Sequence, residues 1–471
     1  MKRLLFSAFI LFTITLPPAT PQAGKQLRAG AATSNITPWL GLSIAGGMQG
    51  IRSDVIDDEL YARCLILDNG ETKLAFVVID SCAISRETLD EAKLLASKAT
   101  GIPADHMLMS ATHTHSSAPA TPIFQSEPDP QYLEFLKIRI ADAVRRAAGN
   151  LAPAEIGWGV GAVPDEVFNR RWFVKGQLPA NPLGGTDRAR MNPSPGSPDL
   201  IEPTGPVDPA VTVLAVRTPG GRPVALLANY SLHYVGGSRG FSADYFGVFT
   251  DRVQELLKAD RQAPPFVGIL SNGTSGNINN ISFQTPRPKS STPFERMRMV
   301  ADKVAQEAAR IYQSAQYHAW LPLDIRQVEL RLGVRKPTEA DIQKAKEIMA
   351  KAAGPQMKTV EEVYARETVL LAKYPSEVPV ILQALRIGDL AIGAIPAETF
   401  VEVGLELREK SGFPTTFTIS LANGYNGYLP TVEQHRLGGY ETWRARSSYL
   451  EEQAAPKIVS QLGGLFKDLK R

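Results

Sequence analysis

The chain has 471 residues, 44% of them hydrophobic, so it can bury a large core in one big domain or two intimately packed ones. Its 51 basic and 48 acidic residues give a net charge of +3 without long runs, which leaves no nucleic-acid footprint. Two cysteines are too few for a disulfide scaffold, so stability must come from packing.

In chain order, Lys2 and Arg3 precede an apolar run from Leu4 to Leu16 that breaks at Pro17 and Pro18. This pattern predicts a secretory signal peptide over residues 1–25, a mature domain over 26–471 and a secreted or periplasmic location. The apolar run is too short to remain as a membrane span, and no later stretch approaches the roughly 20 apolar residues that one needs. Two β-rich runs between Tyr61 and Asp80 flank the turn Asp68-Asn69-Gly70 and read as a hairpin. That register sets Cys64 opposite a residue near Val77 rather than Cys82, so two buried thiols are expected rather than a disulfide.

Helical spacing follows from Glu87 to Thr100, then a short strand from Met107 to Ser110 ends in the polar run Ala111 to Ser117. Gln131 to Gly149 reads as an amphipathic helix. Residues 160–207, rich in Pro, Gly and Asn, are expected to form a long functional loop. A second hairpin, Val211 to Arg217 and Pro223 to Tyr230, runs straight into His233. Helices are predicted from Asp244 to Ala259 and from Pro293 to Ala315, around a strand from Phe266 to Leu270. Residues 337–373 form a charged helical segment broken at Gly354-Pro355. Strands Val378 to Arg386 and Leu390 to Ile395 precede a helix from about Thr399 to Ser411.

Histidine is scarce, with six in the chain, yet two of them stand one residue apart in Ala111-Thr112-His113-Thr114-His115-Ser116-Ser117. On an extended segment, residues two apart point the same way, so both imidazoles can face one metal or the water it activates. The alternative is a hydrogen-bonded strand-end pair without a ligand. A metallo-β-lactamase pattern would need Asp where Ser117 stands. His233, at the end of a second apolar strand, and Glu398, in Ile395-Pro396-Ala397-Glu398 after a third, extend the candidate set. A carboxylate there is costly to bury unless it is paired or metal-bound. Catalytic zinc sites take three protein ligands, and carboxylate or phenolate oxygen can complete them.

Four separated segments in order resemble the neutral and alkaline ceramidase family. They are His113-Thr114-His115-Ser116-Ser117-Ala118-Pro119; Ala225 to His233; Arg386-Ile387-Gly388 through Pro396-Ala397-Glu398; and Asn423-Gly424-Tyr425-Asn426-Gly427-Tyr428-Leu429-Pro430-Thr431 with Tyr440-Glu441. The resemblance spans roughly residues 27–445. It implies zinc held by His113, His233, Glu398 and Tyr428, with Tyr425 the alternative phenolate, and His115 beside the reacting water. Arg170 matches a family arginine and Tyr440 a tyrosine next to the reacting carbonyl. The fold expected from it is α/β, with mixed β-sheets and surrounding helices, in a single large catalytic domain around a zinc cleft.

The implied reaction is hydrolysis of an N-acyl amide, ceramide or a related N-acyl lipid or amino acid, by a zinc-activated water. Such a substrate leaves peripheral membrane contact open. The same residues would serve a metal-dependent esterase or phosphoesterase, and a catalytically silent binding protein is the further alternative. Two departures from the family bear on substrate. Asn279 stands where the family loop has a serine near the lipid head group, so a changed preference is expected. Family ceramidases also carry a C-terminal immunoglobulin-like domain, whereas this sequence ends at Arg471, and with Asn279 this makes ceramide at best a poor expected substrate.

Overall fold

The Asp68-Asn69-Gly70 turn closes through its own side chains: Asp68 Oδ1 accepts from the Gly70 amide at 2.9 Å, and Asn69 Oδ1 accepts from the Glu71 and Thr72 amides. It joins β2 (Tyr61–Asp68) to β3 (Lys73–Ile79) in the predicted register, with Cys64 opposite Val77. Cys64 and Cys82 are both buried and free. The computed structural model describes residues 25–261, 264–286 and 292–471. The predicted signal peptide, residues 1–25, lies outside the described residues except for Lys25.

β1 (Arg28–Asn35) and β4 (Met107–Ala111) complete the first sheet, in the order β4, β3, β2, β1, with Ala152–Pro153 at the far edge. Its strands alternate strictly: Leu65, Leu67, Leu74, Phe76 and Val78 point to the molecular centre, while Cys64, Ile66, Ala75, Val77 and Ile79 point outward. The outer face is covered by α1 (Arg86–Thr100), capped by Ser85, and α2 (Pro130–Gly149), which opens with proline after the Asp129 cap.

The second sheet holds β5 (Glu155–Ala162), β6 (Ala210–Arg217), β7 (Pro223–Tyr230) and β8 (Val267–Asn272), with Gln316–His318 at its edge. Its outer face packs on α3 (Asp244–Leu256) and α4 (Glu295–Ser314). The third holds β9 (Leu323–Gly333), β10 (Glu377–Ile387), β11 (Leu390–Ala394) and β12 (Thr415–Ile419). Between β9 and β10 run α5 (Glu339–Lys351) and α6 (Val360–Leu371), separated at Gly354-Pro355 as predicted. α7 (Val401–Lys410) and α8 (Ala454–Leu469) cover the third sheet.

The inner faces of all three sheets meet in one apolar core that includes Leu65, Phe76, Leu214, Leu227, Leu385 and Ile392. This is the mixed α/β architecture expected from the sequence. No described helix is long and apolar enough to cross a membrane. Residues 160–207 differ from the expected loop: Arg171–Val174, Arg190–Met191 and Leu200–Pro203 pair into a small sheet with Arg171–Val174 in the middle. Each strand is too short to leave a period in the sequence.

Candidate active site

Each large sheet contains one parallel strand pair: β3 with β4, β7 with β8, and β11 with β12. Their carboxyl ends converge, which is where open α/β sheets place ligand-binding loops. Asn272, ending β8, donates from Nδ2 to the Thr112 carbonyl at 3.1 Å, and its own carbonyl accepts from the Ser420 amide at 3.0 Å. One junction therefore ties the loops after β4, β8 and β12 together. His113 and His115 leave β4, His233 follows β7, Glu398 follows β11, and Tyr425 and Tyr428 follow β12. Glu398 and Tyr428 sit directly opposite each other in a two-stranded parallel ladder.

His113, His233 and Glu398 form a buried set whose donor atoms lie within 4.8 Å of one another. His113 Nε2 stands 3.1 Å from His233 Nε2, and Glu398 Oε2 is 3.1 Å from the first and 4.0 Å from the second. His113 Nδ1 faces the Cys82 carbonyl at 2.7 Å and His233 Nδ1 faces the Ser275 carbonyl at 3.1 Å. A carbonyl can only accept, so both Nδ1 atoms carry the proton and both Nε2 lone pairs point into the same space. Two lone pairs at 3.1 Å repel unless a cation lies between them. Glu398 Oε2 is buried without a hydrogen bond.

The three separations bracket the value of about 3.3 Å expected between ligands of a tetrahedral ion with bonds near 2.0–2.1 Å. The residues present therefore fit a metal. Cys82 Sγ lies 3.8 Å from His113 on its committed Nδ1 side, which leaves it off the shared lone-pair space.

The electrostatics say the same. Burial opposes a charge on His113, yet the Glu398 carboxylate holds its pKa well above the ordinary range. Burial holds His115 and His233 well below it, helped by His113 and Arg170. The Glu398 carboxylate thus favours a cation at this point, which a metal shared by the three groups would supply in place of a proton on His113 Nε2. His113 adopts φ 74°, a left-handed conformation costing on the order of 1–3 kcal/mol for a non-glycine residue, and its amide donates to the Ser81 carbonyl.

Around this set, His115 Nε2 lies 3.2 Å from His113 Nε2. Tyr425 donates to Glu398 Oε1 at 2.9 Å, leaving Oε2 turned to the histidines. Tyr428 accepts from Arg170 Nη2 at 3.1 Å, and Arg170 Nη1 reaches His233 Nε2 at 3.4 Å. The Tyr440 ring centroid lies 5.9 Å from that of Tyr428. The predicted residues His113, His115, His233, Glu398, Tyr428, Tyr440 and Arg170 are thus brought together.

The side chain of Asn279 is turned elsewhere: its Nδ2 donates to Asn192 Oδ1 at 3.0 Å and its Oδ1 accepts from the Asn280 amide. The loop reaches the cluster instead through the Ser275 carbonyl. Sequence reasoning gave no role to Glu441 and Arg171. Glu441 accepts from Arg170 Nε at 2.9 Å and from Arg171 Nη1 at 2.6 Å, and all three side chains are buried. Adjacent arginines outside any helical pattern were the available signal, since a buried pair needs a shared acid.

The chain matches no family model and no curated protein by sequence. Its fold is similar to that of neutral ceramidase from Pseudomonas aeruginosa, with TM-score 0.71 and 17% identity over 94% of this chain and 74% of that one. It is likewise similar to a ceramidase complexed with C2, with TM-score 0.71 and 16% identity over 94% of this chain and 75% of the other. At these identities the likeness establishes a shared fold.

Proposed function

We propose that this chain with a neutral ceramidase fold is an exported zinc-dependent amide hydrolase, cleaving an N-acyl amide such as ceramide or a related N-acyl lipid. The observation that carries the reading is the convergence of two imidazole lone pairs and an unpartnered buried carboxylate oxygen at the meeting point of three sheets. His113, His233 and Glu398 would hold the metal. Tyr428, opposite Glu398 in the ladder, is proposed as the fourth ligand, because the Tyr425 hydroxyl is already spent on Glu398 Oε1. A zinc ion held there would supply a bound water with its pKa lowered towards about 7 and polarisation of the scissile carbonyl.

The protein groups then divide the remaining work. His115, kept neutral by burial, takes the proton of the attacking water and returns it to the leaving amine. Arg170 and Tyr440, gathered beside Tyr428, are the groups that would stabilise the developing oxyanion, a contribution of about 3–4 kcal/mol per donor in comparable sites. Glu441 keeps the Arg170 guanidinium fixed. Export follows from the charged and apolar N-terminal run.

Purified protein is expected to contain about one zinc per chain and to hydrolyse N-acyl amides. Metal analysis and a panel of matched amide, ester and phosphoester substrates check both. Absence of metal in protein never exposed to chelator, or turnover of the phosphoester alone, rejects the proposal. Asn279 is proposed to set the preference for the amine portion. Asn279→Ser should raise kcat/KM for ceramide relative to N-acyl amino acids by about tenfold, because it removes the Nδ2 bond that ties this partly exposed side chain to Asn192 and offers a hydroxyl at that loop position instead. An unchanged ratio removes Asn279 from specificity.

A further inference from the structure

The His115 imidazole is enclosed on both faces. On one side the Tyr234 ring stacks on it, with centroids 3.9 Å apart and planes 16° from parallel. On the other lies Gly46. A carbon added to Gly46 would sit 2.6 Å from His115 Nδ1 and 2.7 Å from its Cβ, and nearer still to Cγ. Similar distances to these three atoms place it over the ring face, and no Tyr234 atom is among its nearest neighbours, so it covers the face away from Tyr234.

Gly46 also has φ 105°, which side-chain-bearing residues rarely adopt. Its segment is held firmly. The Ala45 amide donates to the Ser117 carbonyl at 2.9 Å, the Ile44 amide to the Ile51 carbonyl at 2.7 Å, and Gln125 and Ser126 side chains donate to the Met48 and Ile44 carbonyls. Tyr234 directly follows His233, so the stacked ring and a proposed metal ligand share one stretch of backbone.

From this we infer that Gly46 and Tyr234 are positioning residues that clamp His115, fixing its Nε2 edge 3.2 Å from His113 Nε2 so that proton transfer occurs in one geometry. The bare glycine lets backbone lie flat on the ring, and the tyrosine closes the opposite face. Neither residue has to touch the reacting atoms. The inference rests on the amidase reading for its catalytic consequence, though not for the clamp itself.

The test uses Tyr234→Leu, Tyr234→Phe and Gly46→Ala in the full zinc-loaded protein. A displacement of about 1 Å in a catalytic group can cost about 100-fold, so Tyr234→Leu and Gly46→Ala should lower kcat by about 10- to 100-fold with KM and zinc content unchanged. Tyr234→Phe, which keeps the stacked ring, should restore the rate. Ring order is read independently by NMR of histidine-labelled protein, with the His115 signals identified by their loss in His115→Ala. One sharp set is expected for the unaltered and Phe forms, and broadened or doubled signals for Tyr234→Leu.

Full rate and a single sharp set in Tyr234→Leu would overturn the clamp, as would a Phe form as slow as the Leu form. If Gly46→Ala does not fold, the Tyr234 pair decides alone. If the unaltered protein cleaves no amide, the amidase reading fails while the ring spectra still decide whether His115 is clamped.

Discussion

His113→Ala and His233→Ala should each lose both bound metal and activity, while His115→Ala should keep the metal and lose about 10²- to 10⁴-fold in kcat, the range of a general acid–base group. The difference follows from lone-pair direction. His113 and His233 present Nε2 to the same point as Glu398 Oε2, with their Nδ1 protons fixed on the Cys82 and Ser275 carbonyls. Removing either leaves a single imidazole beside Glu398 and the proposed Tyr428 ligand, too weak a set to retain the ion. His115 belongs to a different layer, its Nε2 3.2 Å from His113 but outside the set formed with Glu398. Zinc content and kcat measured on the three variants check this. Zinc lost from His115→Ala and kept in His233→Ala would exchange the two roles.

The legible part of this site was the part written as short motifs at strand ends. His113 and His115 stand where an apolar strand stops, and His233 and Glu398 do the same on two further strands. The Asp68-Asn69-Gly70 turn fixed the β2–β3 register and with it the position of Cys64 opposite Val77. What joins these strands was not legible. β1, β9 and β12 carry no turn signal as sharp as that hairpin, and the convergence of three sheets depends on pairings hundreds of residues apart, such as the Asn423 amide with the Met109 carbonyl.

Backbone partners were hidden for the same reason. The carbonyls of Cys82 and Ser275 select the histidine tautomers, but a carbonyl has no sequence identity. Gly46 and Tyr234 leave no motif either, because stacking on His115 appears only once distant loops are folded together. Arg171 sits next to Arg170 and reads as surface charge in one dimension. In three dimensions it is wholly buried, with Glu441, Gln434 and the Gly438 carbonyl as partners.

Glu441→Gln should destabilise the protein by about 3–5 kcal/mol, the cost of removing one partner from a buried ion cluster. Glu441 and Arg171 are each 0% exposed, and the carboxylate divides its two oxygens between Arg170 and Arg171. A glutamine keeps the volume but takes away the one carboxylate that both buried guanidinium groups contact directly. Arg171→Met should be milder, because Glu441 still answers Arg170, and Glu441→Gln combined with Arg171→Met should be more stable than Glu441→Gln alone. Burial opposes the Glu441 charge, yet Arg171 and Arg170 together hold its pKa below the ordinary carboxylate value. A carboxyl whose pKa is depressed on folding contributes stability that is complete above the unfolded-state value and is lost as pH falls through the folded one. The difference in unfolding free energy between the unaltered protein and Glu441→Gln should therefore be full at neutral pH and shrink below about pH 4.3, where free glutamate titrates. Urea unfolding of the four proteins at neutral and acidic pH reads all of this. A Glu441→Gln protein as stable as the unaltered one at neutral pH, or a double variant less stable than both singles, would show that the three charges are not coupled as their geometry requires.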